Sequence, residues 1–200
     1  MAVTRIHNEK RITLDPLVGS PVWPLPTKHR DRAGVPAVFS DAFNRAAEGS
    51  GDWPLLAFGS VGSGKTCAAL LAVEWAGRSC YVTVSDLCRM LIEAGQGLSF
   101  EAHPHGCGGY KRYERDVWRD WEDANLAVLD ELGARDKVSD HHYETVKRAI
   151  DLRLDWGKPL LVCTNLSLEQ LSRCYDDRIS SRLASGTIIE LTGDRRLSPA

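Results

Sequence analysis

Gly59-Ser60-Val61-Gly62-Ser63-Gly64-Lys65-Thr66 decides the fold, because it meets the pattern GxxxxGK[ST] in full. The residues before it, Leu55-Leu56-Ala57-Phe58, are an apolar run of strand length. Those after it, from Thr66 to Trp75, continue as an apolar helix that Gly77 can close. Strand, glycine loop and helix are the setting in which this motif cradles phosphate. The glycines let backbone N–H groups approach the phosphate oxygens, and the helix start adds its positive dipole end. Lys65 is then placed to hold the β- and γ-phosphates of ATP, and Thr66 to offer its hydroxyl to Mg²⁺. Gly59, Ser60, Val61, Gly62, Ser63, Gly64 and Cys67 complete the expected nucleotide-binding residues.

Downstream, Cys80-Tyr81-Val82-Thr83-Val84 reads as a second strand, and Ser85 can cap a helix from Asp86 toward Ala94. The glycine-rich stretch to Gly109 reads as a loop, and Tyr110 to Asp123 as a helix with Tyr113, Val117, Trp118 and Trp121 at helical spacing. Leu126-Ala127-Val128-Leu129 is the third strand, and two carboxylates, Asp130 and Glu131, stand at its C-terminal end. In isolation such a pair reads as a solvated turn; with the glycine loop upstream, Asp130 fits the Mg²⁺ contact and Glu131 the group that polarises an attacking water.

Ser139 to Trp156 is an amphipathic helix, and Leu160 to Thr164 a fourth strand ending at Asn165. The Asn165 amide either orients water at the γ-phosphate or caps the next helix; both readings stand. Two short helices follow, near residues 168–174 and 176–184, and then a fifth strand over 187–191. Arg178 and Arg182 lie four apart, so they share a helix face. There they serve either as a finger inserted into a neighbouring subunit's site or as surface partners of Asp176 and Asp177. Apolar strands separated by helices imply a mainly parallel sheet covered on both faces.

Upstream, a short helix is expected between Ser40, as its cap, and Gly49. Residues 1 to about 35 carry Pro16, Pro21, Pro24 and Pro26 and read as a basic, proline-containing N-terminal arm, leaving 36–200 as the nucleotide-binding domain. The arm's Arg5, Lys10, Arg11, Lys28, Arg30 and Arg32 outnumber Glu9, Asp15 and Asp31, which suits phosphate contacts, an acidic partner or a solvated tail. A net charge of −2 gives no global pull toward nucleic acid or anionic membranes, so such binding must use local patches. No apolar run reaches bilayer length and the N-terminus lacks a signal-peptide core, so the expected location is the cytoplasm, with no membrane partner. The six cysteines form no CxxC pair and read as reduced core residues. His103, His105 and Cys107 lack a fourth metal ligand at the usual spacing.

In this order the motifs resemble the AAA+ ATPases, specifically the DnaC/DnaI-like helicase loaders and their IstB-like relatives, over about residues 35–196. GSVGSGKT stands as Walker A, LAVLDEL as Walker B, VCTNLSLEQL as the sensor-1 region and YDDRISSRLASG as the arginine-finger segment. The resemblance implies an α/β P-loop NTPase fold, an AAA+ core with a five-stranded sheet of order 5-1-4-3-2 flanked by helices. It raises Arg182, and secondarily Arg178, to finger candidates beside Lys65, Glu131 and Asn165, with Arg195 and Arg196 left for a sensor-2 role. It further implies an ATP-hydrolysing replication factor acting on a replicative helicase and single-stranded DNA, as a homo-oligomer or with a partner that supplies the arginine. Against the family pattern, a short N-terminal arm and no C-terminal lid domain are expected. Two other readings share the loop: an IstB-like transposition helper, and a small-molecule kinase, against which Asp130-Glu131 and the Asn165-to-Arg182 order argue.

Overall fold

Apolar runs of strand length, alternating with helical ones, set the order of the chain. The computed structural model describes residues 3–7, 10–14, 21–26, 35–97, 99–100, 110–134 and 138–194. An antiparallel hairpin, β1 (Val3–His7) and β2 (Lys10–Leu14), comes first. Then follow α1 (Ala37–Glu48), β3 (Leu55–Phe58), α2 (Lys65–Ala76), β4 (Ser79–Thr83) and α3 (Val84–Gly95). A short antiparallel pair, β5 (Ser99–Phe100) and β6 (Tyr110–Lys111), precedes α4 (Glu114–Asp123), β7 (Leu126–Leu132) and α5 (Asp140–Leu154). The chain continues through β8 (Leu160–Thr164), α6 (Leu168–Cys174), α7 (Asp177–Ala184) and β9 (Thr187–Glu190).

The main sheet runs β4-β7-β8-β3-β9, with every neighbouring pair parallel. Counting its five strands in chain order gives 2-3-4-1-5, the expected 5-1-4-3-2 seen from the other edge. This is a P-loop NTPase core. Successive strand residues face opposite ways and both faces are covered, which is why the strands read as unbroken apolar runs. On one face Leu55, Ala57, Val128 and Leu161 pack under α1 and α2; on the other Leu56, Val82, Leu129 and Val162 pack under α3, α4 and α5.

Several local expectations shift. The first helix begins at Ala37 after Pro36 (φ −65°), not at Ser40, because proline presets the dihedral from which a helix starts. Gly49 closes it in the left-handed region (φ 82°), as its position predicts. Thr83, not Ser85, caps α3, its Oγ1 accepting the Asp86 N–H at 3.1 Å. β7 does not stop at Leu129 but carries Asp130 and Glu131 within it, with a register shift against β8 between Leu129 and Leu132. β5, β6, β1 and β2 lie where a loop, the start of a helix and an irregular arm are expected. Residues 21–26 of that arm dock on the core: Trp23 is buried and stacks on Trp121 at 6.0 Å, and the Val22 N–H donates to the Ser79 carbonyl at 2.8 Å.

One buried cation holds the far side together. Arg153 of α5 is fully buried and donates to the carbonyls of Trp121, Glu122 and Ala124 at 2.9, 3.0 and 2.9 Å, and to that of Pro159 at 2.8 Å. It satisfies the last carbonyls of α4 and the entry to β8 together. Burial lowers its pKa to about 10, which leaves it charged at neutral pH.

Candidate functional site

The site is built where β3, β7 and β8 end and α2 begins, at the carboxyl edge of the parallel sheet. Gly64 occupies the cap position of α2 in the left-handed region (φ 94°), and no side chain caps this helix. By contrast α3, α5, α6 and α7 have their first turns closed by Thr83, Ser139, Ser167 and Asp176. α1 also lacks a side-chain cap, but only at α2 does a glycine loop lead into the uncapped N–H groups, an arrangement that suits an anion. Gly59 begins the loop, its N–H donating to the Thr164 carbonyl at 3.3 Å. Ser63 is fully buried, whereas Val61 stands out at the loop's apex and Cys67 is partly exposed.

Lys65 is 9% exposed and donates from Nζ to the carbonyls of Gly59 at 2.8 Å and Ser60 at 2.7 Å, folding the loop around itself. Burial lowers its pKa, while Cys163 and Asp130 nearby oppose that shift. The Thr66 hydroxyl donates to Asp130 Oδ2 at 3.0 Å, joining the two motifs across 64 residues of sequence. Asp130 is buried, its Oδ1 accepting the Glu131 N–H at 2.8 Å. Glu131 is exposed and adopts φ 58°, an uncommon conformation for a residue with a side chain. It comes where β7 loses register against β8, a bulge-like irregularity that leaves Glu131 exposed between buried Asp130 and Leu132. Partial desolvation of its carboxylate, and then the charge of Asp130, raise its pKa above the ordinary value.

Asn165 is exposed directly after β8. Its neighbour Thr164 is buried, donating to the Leu132 carbonyl at 2.7 Å and accepting the Leu166 N–H at 3.0 Å, which ties the Asn165 turn to the end of β7. Arg178 and Arg182 are carried on α7. Arg182 pairs with Asp151 at 3.2 Å and Asp155 at 3.0 Å, both at the end of α5, and Arg178 is exposed. Among the described residues neither arginine bonds to the glycine loop. Arg195, Arg196, His103, His105 and Cys107 lie outside the described residues.

One site residue carries no motif. Tyr81 of β4 is 7% exposed, and its hydroxyl donates to Asp130 Oδ2 at 2.8 Å. Burial, the Asp130 charge and this bond push its pKa upward, so it remains a donor. The available signal is a tyrosine inside an apolar strand, since a buried phenol needs a partner for its polar tip.

Thr66 and Asp130 fit a hard divalent cation such as Mg²⁺: both are oxygen donors, already adjacent, beside the glycine loop. No helix among the described residues is long and apolar enough to cross a membrane.

No protein-family model matches this sequence, and no curated protein does. Solved structures match in fold. DnaI is 19% identical with a TM-score of 0.62, over 90% of this chain and 100% of that one. The DnaC helicase loader is 15% identical with a TM-score of 0.58, over 85% and 94%. AMPPCP-bound DnaA from Aquifex aeolicus is 17% identical with a TM-score of 0.60, over 89% of this chain and 51% of that one. This chain spans about half the length of two DnaA structures and of a DNA replication initiation factor that it matches. At such identities the likeness establishes the fold alone, the P-loop core already described.

Proposed function

We propose that this chain is an ATPase of DNA replication, acting on a replicative helicase and single-stranded DNA in the cytoplasm. The observation that carries the reading is the convergence of Lys65, Thr66 and Asp130 at the uncapped start of α2, with Glu131 turned outward beside them. The loop N–H groups bind the phosphates of ATP, and Lys65 exchanges the Gly59 and Ser60 carbonyls for phosphate oxygens. Mg²⁺ held through Thr66 and Asp130 would neutralise charge on the β- and γ-phosphates. Glu131, turned outward beside the proposed cation ligand Asp130, takes the proton of the attacking water. Asn165 orients that water.

Arg182, and secondarily Arg178, complete a neighbouring copy's site. Arg182 leaves Asp151 and Asp155 to do so, at small cost because exposed ion pairs are weak. The replication partners rest on the shared fold with DnaI, the DnaC helicase loader and a DnaA bound to AMPPCP and single-stranded DNA. The basic arm over 1–35 is the candidate contact for either partner.

The test is nucleotide binding and phosphate release, with and without single-stranded DNA, beside affinity capture from host lysate. Lys65→Ala is expected to abolish binding. Glu131→Gln is expected to keep binding and slow hydrolysis by roughly 10²- to 10⁴-fold. Arg182→Ala is expected to bind ATP and lose only assembly-dependent turnover. A phosphorylated small molecule in place of free phosphate would replace this reading with a kinase, and capture of a transposase with a transposition helper.

A further inference from the structure

We infer that Tyr81 is a positioning residue that holds the Asp130 carboxylate in the orientation the divalent cation requires, an inference that rests on reading Thr66 and Asp130 as the cation's protein ligands. β4 and β7 are parallel neighbours in which Tyr81 lies opposite Val128 and Thr83 opposite Asp130. Side chains alternate along a strand, so Tyr81, Val128 and Asp130 share one face of the sheet. The phenol reaches forward along that face and places its hydroxyl 2.8 Å from Asp130 Oδ2.

The hydrogen bonds of that carboxylate leave it little freedom to rotate. Oδ2 accepts from Tyr81 and from Thr66, and Oδ1 accepts from the Glu131 N–H. Two of these three donors belong to residues that the proposed function assigns to the nucleotide cycle itself, Thr66 as cation ligand and Glu131 as base. Tyr81 is different. Its ring is buried in the apolar layer that contains Val128, Leu126 and Leu161, so its hydroxyl is presented from a rigid element. A donor fixed in this way keeps one carboxylate rotamer populated whether or not ligand is present, as supporting hydrogen bonds around metal ligands do. Tyrosine supplies the reach from strand to carboxylate, and its hydroxyl supplies the bond.

The experiment measures AMPPCP binding during a Mg²⁺ titration for the wild type, Tyr81→Phe, Asp130→Asn and the double variant, with a parallel measurement in EDTA. Tyr81→Phe is expected to raise the Mg²⁺ concentration for half-maximal binding by roughly tenfold. It should leave affinity in EDTA within about twofold, and add nothing on top of Asp130→Asn, as expected for residues acting through one another. An unchanged Mg²⁺ requirement, or an equal loss with and without Mg²⁺, overturns the role of Tyr81 and leaves the ATPase reading standing. Wild-type binding that ignores Mg²⁺ overturns both. A measurement independent of any variant's folding is the ¹³Cζ resonance of Tyr81 in the wild type. It should keep its hydrogen-bonded position on loading with Mg²⁺ and AMPPCP, and a shift to that of a free phenol overturns the inference.

Discussion

Gly59 is glycine for two reasons that act together. Its φ of 154° is one that side chains rarely adopt, and a Cβ there would stand 2.0 Å from the Leu191 carbonyl oxygen. Because the obstacle is backbone just past the last strand, it cannot swing aside. Gly59→Ala should therefore cost about 1–3 kcal/mol and remove nucleotide binding, read as a lowered unfolding midpoint and a lost binding isotherm. The need for glycine at 59 is legible in the motif spacing; its cause is not, since Leu191 is distant in sequence. Tyr81 and Arg153 teach the same lesson. Each sits in a locally ordinary strand or helix pattern, and only strand pairing or helix packing brings Tyr81 to Asp130 and Arg153 to the carbonyls of Trp121 and Pro159.

Helix ends were legible to within a few residues, and the choice among adjacent cap-forming residues was harder. Thr83 and Ser85 are both good caps, and pairing of Thr83 with Asp130 keeps Thr83 as the last residue of β4 and so selects it. Asp176 is a sharper instance, because from spacing it reads as an ion-pair partner for the arginines of α7. In the fold its Oδ1 instead accepts the Ile179 N–H at 2.9 Å and its Oδ2 the Tyr143 hydroxyl at 2.6 Å. The Tyr143 bond first, and the Ile179 N–H second, hold its pKa below the ordinary 3.8. Between the folded and unfolded values the native chain binds fewer protons than the unfolded chain. The contribution is therefore complete above the unfolded pKa and is lost as pH falls through the folded one. Asp176→Ala should cost about 1 kcal/mol near neutral pH, and the gap from wild type should narrow in urea titrations at a pH below the ordinary carboxyl range. A gap that stays constant into acid would remove the carboxylate from the account.

Across the whole molecule, the parallel sheet and its coverage on both faces followed from the run of apolar strands, while the strand order came from the resemblance to AAA+ proteins. The attachment of residues 21–26 was hidden, because prolines punctuate the segment and its contacts are remote: Trp23 Nε1 reaches Asp120, 97 positions away, at 3.4 Å. Trp23→Ala should lower stability by roughly 3 kcal/mol, seen as an earlier denaturant midpoint with unchanged nucleotide affinity; no shift would return those residues to the status of a tail. The bare start of α2 bears on the molecule in another way. Four other helices close their first turns with a side chain of the chain itself, whereas α2, on the function proposed above, is closed by a bound anion, so occupancy would add to the folding equilibrium of every residue. By mass action, a ligand at a hundred times its dissociation constant contributes about 2.7 kcal/mol, so on the proposed reading saturating nucleotide should raise the unfolding midpoint of the whole chain.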